Sequence, residues 1–305
     1  MKVKFWGVRG SIPCPGPFTA KYGGNTACLE LYIESLDRRI IIDAGSGIRE
    51  LGYRLMQDTG TDGNVCADIF LTHTHWDHIM GFPFFAPIYA PTSQIRIYGP
   101  ATYEEESLKD VLVGQWTYRY FPVRHDELSS ELEYIELKEG RYDLGQGVQL
   151  QTKYLNHPLL CLGYRFEYNG KVLCTAFDTE PYSNVFCTDP EAPSYDAAMA
   201  VEGELAAAEE NFRMEQFIQG ADLLIYDAQY TQAEYRQSRV GWGHSPIEHA
   251  IDVAQRNHVK QLALFHHDVM RTDEQLEKMR PLYCNSNGNQ GFSPFFAHEG
   301  MEVNL

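Results

Sequence analysis

Short apolar runs bounded by glycine, proline and charged residues recur along this chain, most of them the length of a strand. They fall near residues 2–8, 27–33, 39–43, 67–72 and 94–99, and again near 147–156, 161–168, 171–177, 222–226 and 261–265. Val148, Leu150, Thr152 and Tyr154 alternate with polar residues, as in a strand with one face in the core. Ile40-Ile41-Ile42, Ala67 to Leu71 and Leu262 to Phe265 are unbroken and read as buried strands. Helices are expected after Gly47, after Pro100, and near 246–257 and 272–280. Both halves carry strands and helices with no linker between them, so residues 1–305 are expected to form a single domain. Residues 181–219 depart from this pattern. They run from Pro181 through Pro193 into an Ala- and Glu-rich stretch and predict an inserted loop and helix. The stripe Met199, Leu205, Phe212, Phe217 and Ile218 favours packing on the body, with a homodimer contact or a lid as the other readings. The aromatic runs Phe82 to Phe85 and Trp116 to Phe121 favour core packing over stacking on a nucleobase.

At the end of one apolar run stand His73, Thr74, His75, Trp76, Asp77 and His78. Residues two apart share a face in a strand, so His73 and His75 can point at one ion. Asp77 and His78 follow around a turn and address a neighbouring ion. That much imidazole and carboxylate after a buried strand would be costly without a cation to satisfy it. The spacing points to two metals.

This HxHxDH pattern resembles the signature of the metallo-β-lactamase superfamily, and further segments match that family's ligands in order. Asn156-His157-Pro158, Phe177-Asp178-Thr179 and His266-His267-Asp268 each follow a strand-like run. The resemblance implies a four-layer αββα sandwich with its metals in a cleft at one edge of two packed sheets. It also implies His73, His75 and His157 on the first metal, Asp77, His78 and His266 on the second, and Asp178 as the bridge. His266 is preferred to His267 because it comes directly after the strand. Asp43, in Ile42-Asp43-Ala44-Gly45, resembles the aspartate that orients metal-binding histidines, with capping of the following helix as a reading nearly as strong. The stretch from Tyr226-Asp227-Ala228 to Gly243-His244-Ser245-Pro246 resembles the phosphodiesterase and tRNA 3′-end nuclease branch. There a histidine in the place of His244 assists the leaving group, so His244 and Asp77 are the expected catalytic residues. The opening segments Phe5 to Ser11 and Tyr22 to Thr26 resemble a bacterial phosphodiesterase-like group, which suggests Arg9 and Asn25 for substrate binding. An aspartate at the bridge disfavours lactam hydrolysis, and His75 disfavours flavin-linked di-iron chemistry.

Two divalent ions, Zn²⁺ or Mn²⁺, would leave the centre cationic after two carboxylates and a bridging hydroxide, the expected nucleophile, are counted. Such a centre suits an anionic phosphodiester. The chain as a whole carries a formal net charge of −17 over 305 residues, which disfavours a long polyanion and favours a small or cyclic phosphodiester such as a cyclic nucleotide. Arg119, Arg124, Arg236 and Arg239 are the candidates for a local basic patch. The other readings are an RNA 3′-end nuclease and a metal-binding sensor without turnover. Neither a membrane-spanning apolar run nor a signal peptide is visible, and the seven cysteines are scattered, so a cytoplasmic location with reduced thiols is expected.

Overall fold

The computed structural model describes residues 1–59, 64–101, 106–284 and 291–305. The first-half strands are β1 (Lys2–Gly7), β2 (Cys28–Ile33), β3 (Arg38–Ile42), β4 (Cys66–Phe70), β5 (Gln94–Pro100) and β6 (Glu131–Leu137). Those of the second half are β7 (Gly140–Asp143), β8 (Gln149–Tyr154), β9 (Leu162–Tyr168), β10 (Lys171–Ala176), β11 (Leu223–Asp227), β12 (Gln261–Phe265), β13 (Ser293–Phe296) and β14 (Glu302–Asn304). Two seven-stranded sheets result, in the orders β14-β1-β2-β3-β4-β5-β6 and β13-β12-β11-β10-β9-β8-β7. Strands β3 to β6 run parallel, as do β10 to β13.

Unbroken apolar strands make sense once both faces are covered. Ile40, Ile42, Leu223, Ile225, Ala263 and Phe265 point into the core between the sheets. Their neighbours point the other way. Ile41, Ile69 and Ile97 meet α1 (Ile48–Asp58) and α3 (Leu108–Val113) on one outer face, beside the four-residue α2 (Trp76–Ile79). Leu224, Tyr226, Leu262 and Leu264 meet the end of α4 (Ala197–Ile218), α6 (Ile247–Arg256) and α7 (Asp273–Tyr283) on the other, with α5 (Gln232–Ser238) nearby. This is the expected four-layer αββα sandwich, closed at the edge by β14 carrying the chain end back onto β1.

Several elements escaped the pattern. β6 and β7 lie at the sheet ends, where a half-exposed face blurs the alternation, and β13 is a four-residue Ser-Pro-Phe-Phe stretch. The helix expected after Pro100 begins only at Leu108, where Ser107 and Asp110 form a capping box; 102–105 lie outside the described residues. The insertion does form a loop and a long helix. Of its apolar stripe, however, only Phe217 and Ile218 pack; Met199, Leu205 and Phe212 are exposed.

Candidate metal centre

Every residue of the expected cluster sits just beyond a strand. β4 delivers His73, His75, Asp77 and His78; β8 delivers His157, β10 delivers Asp178, and β12 delivers His266. Clefts at the carboxyl ends of parallel strands are where α/β sheets gather ligands. Turning inward there forces unusual backbone, since Asp43, Asp178 and His266 all adopt positive φ (61°, 48° and 63°), a region that non-glycine residues hold at a cost.

The seven side chains converge as two groups that share Asp178. In the first, His75 Nδ1 lies 2.9 Å from His73 Nε2 and 3.0 Å from His157 Nε2, and Asp178 Oδ2 lies 3.6 Å from His73 Nε2. In the second, His78 Nε2 is 3.3 Å from Asp77 Oδ2 and 3.2 Å from Asp178 Oδ1, while His266 Nε2 is 3.2 Å from each of those oxygens. Donors placed tetrahedrally about 2.0–2.1 Å from one ion stand roughly 3.3 Å apart. The spacing of the second group therefore fits one small cation.

Outer partners fix which ring nitrogen faces inward. His157 Nδ1–H donates to Gly243 O at 3.1 Å, and His266 Nδ1–H to Gln229 Oε1 at 3.3 Å. His78 Nδ1–H donates to Asp43 Oδ2 at 2.7 Å. Thr72 Oγ1 spends its single proton on the same Asp43 oxygen, at 2.9 Å, so it accepts from His73 Nδ1–H at 3.1 Å. All four rings thus present the Nε2 lone pair to the cluster, the tautomer a metal ligand needs. His78 Nε2 and Asp178 Oδ1 are buried with no hydrogen-bond partner: they are close, but not in line. Orphaned buried acceptors are expensive, and a divalent cation in the second group would satisfy both. The donor set fits.

The bare cluster meets part of this cost with protons. Burial would push the His78 imidazolium down, but Asp178, Asp77 and Asp43 reverse that and hold it well above its ordinary value. Burial likewise favours a neutral Asp178, but His266, His78 and His73 keep it well below the usual carboxylate range. His73, enclosed by apolar walls and other imidazoles, is pushed well down.

Asp43 makes no capping bond, since the residue before α1 is Gly47; the Asp43 carboxylate is consumed by His78 and Thr72. His267 turns away and donates to Ala297 O at 2.8 Å. His244 stacks on His266 with ring centroids 4.9 Å apart, and its Nδ1–H donates to Asp227 Oδ2 at 2.7 Å. Burial opposes charge on that ring, yet Asp227 wins and lifts it to about 9.

Two expectations need correction. Arg9 is fully buried, and its guanidinium donates to the carbonyls of Gly23 (2.8 Å), Asp268 (3.2 Å) and Arg271 (2.6 Å), so it ties loops together and turns no donor to the cluster. Asn25 donates to Glu299 Oε2 and accepts from Ser46 Oγ, closing a turn. The opening segment reaches the cluster instead through Gly10 and Ser11. Ser11 N–H donates to Asp77 Oδ2 at 2.7 Å, and a Cβ on Gly10 would fall 2.4 Å from the His266 ring. Sequence reasoning also gave Thr72, Asp227 and Gln229 no role. The only advance signal was a polar residue directly before or after a ligand or inside the His244 segment.

A cleft-edge cluster of histidines and aspartates on an αββα sandwich defines a metallohydrolase architecture. The sequence profile of the beta-lactamase superfamily domain matches residues 38–267. Ribonuclease Z of Clostridium perfringens is 24% identical over 324 residues, covering 95% of this chain and 97% of that protein. Ribonuclease BN of Cronobacter sakazakii is 33% identical, but over 43% of this chain and 40% of its own length. Human tRNase Z, short form, superposes with a TM-score of 0.61 at 19% identity, covering 100% of this chain and 99% of that one. A diphosphatase from the PhnP family gives 0.62 at 16% identity, covering 100% of this chain and 97% of that one. The chain belongs to the metallo-β-lactamase superfamily.

Proposed function

We propose that this chain is a dinuclear metal-dependent phosphodiesterase acting on small or cyclic phosphodiesters, cyclic nucleotides among them. The observation that carries the reading is the division of Asp178, with one carboxylate oxygen facing each donor group. His73, His75, His157 and Asp178 would hold one divalent cation, Zn²⁺ or Mn²⁺, and Asp77, His78, His266 and Asp178 a second. When bound, such a pair supplies Lewis acidity toward phosphoryl oxygens and a water that ionises near neutral pH.

The chain's own residues do the rest. Asp43 and Thr72 hold His78 and His73 in one tautomer, and Gly243 O and Gln229 do the same for His157 and His266. His244, charged through its bond to Asp227, keeps its Nε2–H for the departing oxygen, which makes it the general acid. A net charge of −17 supports a substrate with few phosphates.

A second reading, RNA 3′-end processing, is supported by relatives named ribonuclease Z. The decisive experiment is metal analysis of protein purified without added ions, followed by assays on cyclic nucleotides, linear dinucleotides, bis-p-nitrophenyl phosphate and precursor tRNA. Turnover of the small esters above precursor tRNA is expected. The reverse order would transfer the assignment to RNA processing, and full metal loading without turnover would leave a sensor.

A further inference from the structure

Five residues before His244, Arg239 ends α5 in an unusual setting. Its guanidinium carbon lies 4.5 Å from the Trp242 ring centroid and 5.6 Å from that of Tyr230. Nη1 donates to Ser238 Oγ at 2.9 Å. Three other arginines of this half, Arg213, Arg256 and Arg271, each meet a carboxylate at 2.5–2.6 Å. Arg239 has no such ion pair among the described residues. Glu180, whose carboxylate touches the same loop, is engaged by Tyr235 Oη and Gly241 N–H. Arg236 and Arg280 likewise form no ion pair among the described residues; what sets Arg239 apart is that its guanidinium lies over two aromatic rings.

The cation is also aimed by its supports. Tyr230 is buried, its ring lies 6.1 Å from that of His244, and its backbone pairs with the segment after His244, where Ile247 N–H donates to Tyr230 O at 2.8 Å. Trp242 is 55% exposed and precedes Gly243, whose carbonyl orients His157. Arg239 thus stands one ring contact beyond the proposed general acid, beside the exposed Trp242. Stacking weakens its hydration, and the guanidinium keeps donors beyond the Nη1 that meets Ser238, a form of arginine suited to phosphate.

We propose that Arg239, clamped by Tyr230 and Trp242, forms a subsite for a second anionic group of the substrate, a phosphate separated from the scissile one by a single nucleoside unit. This rests on the phosphodiesterase reading and narrows it to substrates with two phosphates. Arg239 supplies the charged contact that Arg9, fully buried among loop carbonyls and Asp273, does not offer.

The test compares a linear dinucleotide with and without a 5′-terminal phosphate, the scissile diester being identical, on metal-loaded wild type, Arg239→Ala, Arg239→Lys and Trp242→Leu. The wild type should favour the phosphorylated dinucleotide about tenfold or more in kcat/KM, the scale of one charge-assisted fork. Arg239→Ala should erase that preference through KM. Arg239→Lys should keep part of it, and Trp242→Leu should weaken it with the charge intact. A second measurement is calorimetric binding of adenosine 3′,5′-bisphosphate against adenosine 3′-monophosphate. The bisphosphate should bind more tightly to wild type and lose that advantage in Arg239→Ala. A wild type that treats both dinucleotides alike, or an Arg239→Ala variant that keeps the preference, overturns the subsite. If fully loaded protein cuts neither the dinucleotides nor a cyclic nucleotide nor bis-p-nitrophenyl phosphate, the phosphodiesterase reading has failed. Calorimetry then decides the subsite by itself, and equal affinities for the two adenosine phosphates reject it.

Discussion

Asp227 and His244 form the most exposed-to-test pair in the molecule, because the two substitutions separate proton supply from metal binding. His244→Ala should retain both ions and lose about a hundredfold or more in turnover, most on esters with poor leaving groups, the usual scale of general acid catalysis. Asp227→Asn should fall between that variant and wild type. Equal turnover of His244→Ala and wild type on a poor leaving group would remove the ring from the mechanism. Away from the cluster, burial pushes the His249 imidazole from 6.5 down to about 4. The unfolded chain then binds a proton that the folded chain refuses. Stability from this group is full above about pH 6.5 and is lost as pH falls toward 4. Thermal melts across that window should drop more steeply for wild type than for His249→Gln; parallel curves would place the acid sensitivity elsewhere.

Strands and helices carry the site in different degrees. β10 and β12 reach the cluster from the middle of a sheet whose two faces are both covered, so their registers cannot slip without moving Asp178 or His266. Only the last turns of α4 share that burden, through Met214, Phe217 and Ile218, together with the buried Lys153 that meets Glu210 at 3.0 Å. Phe217→Ala should cost about 3–5 kcal/mol, the range for removing a buried aromatic side chain. Leu205→Glu, on the exposed stretch, should stay within about 0.5 kcal/mol. Denaturant unfolding distinguishes the two. A large loss at Leu205 would mean that the exposed stripe is covered in solution.

For the molecule as a whole, cations would compensate several buried acceptors at once, so removing them should loosen the fold beyond the cleft. Chelator should lower the melting temperature of metal-loaded protein by several degrees, with recovery on re-addition of Zn²⁺ or Mn²⁺, as mass action requires for a ligand of the native state. An unchanged melt would mean that the seven side chains hold no stabilising ion. No helix among the described residues is long and apolar enough to cross a membrane.

The sequence marked most of the strands by their apolar runs, and its resemblance to a known family implied the layered architecture and the seven side chains that the structure brings together, each of which follows a strand. It marked His244 by its Gly-His-Ser-Pro setting. Short edge strands such as β13 stayed hidden, since four residues with a proline carry no period to read. Partnerships across distant sequence were decided by folding. Thr72 with Asp43, Asp227 with His244, and Ser11 with Asp77 depend on which loops the two sheets bring face to face. The same holds for arginine: Arg9 and Arg239 look equally available in the sequence, and only packing consigns one to backbone carbonyls and leaves the other stacked on Trp242 and Tyr230.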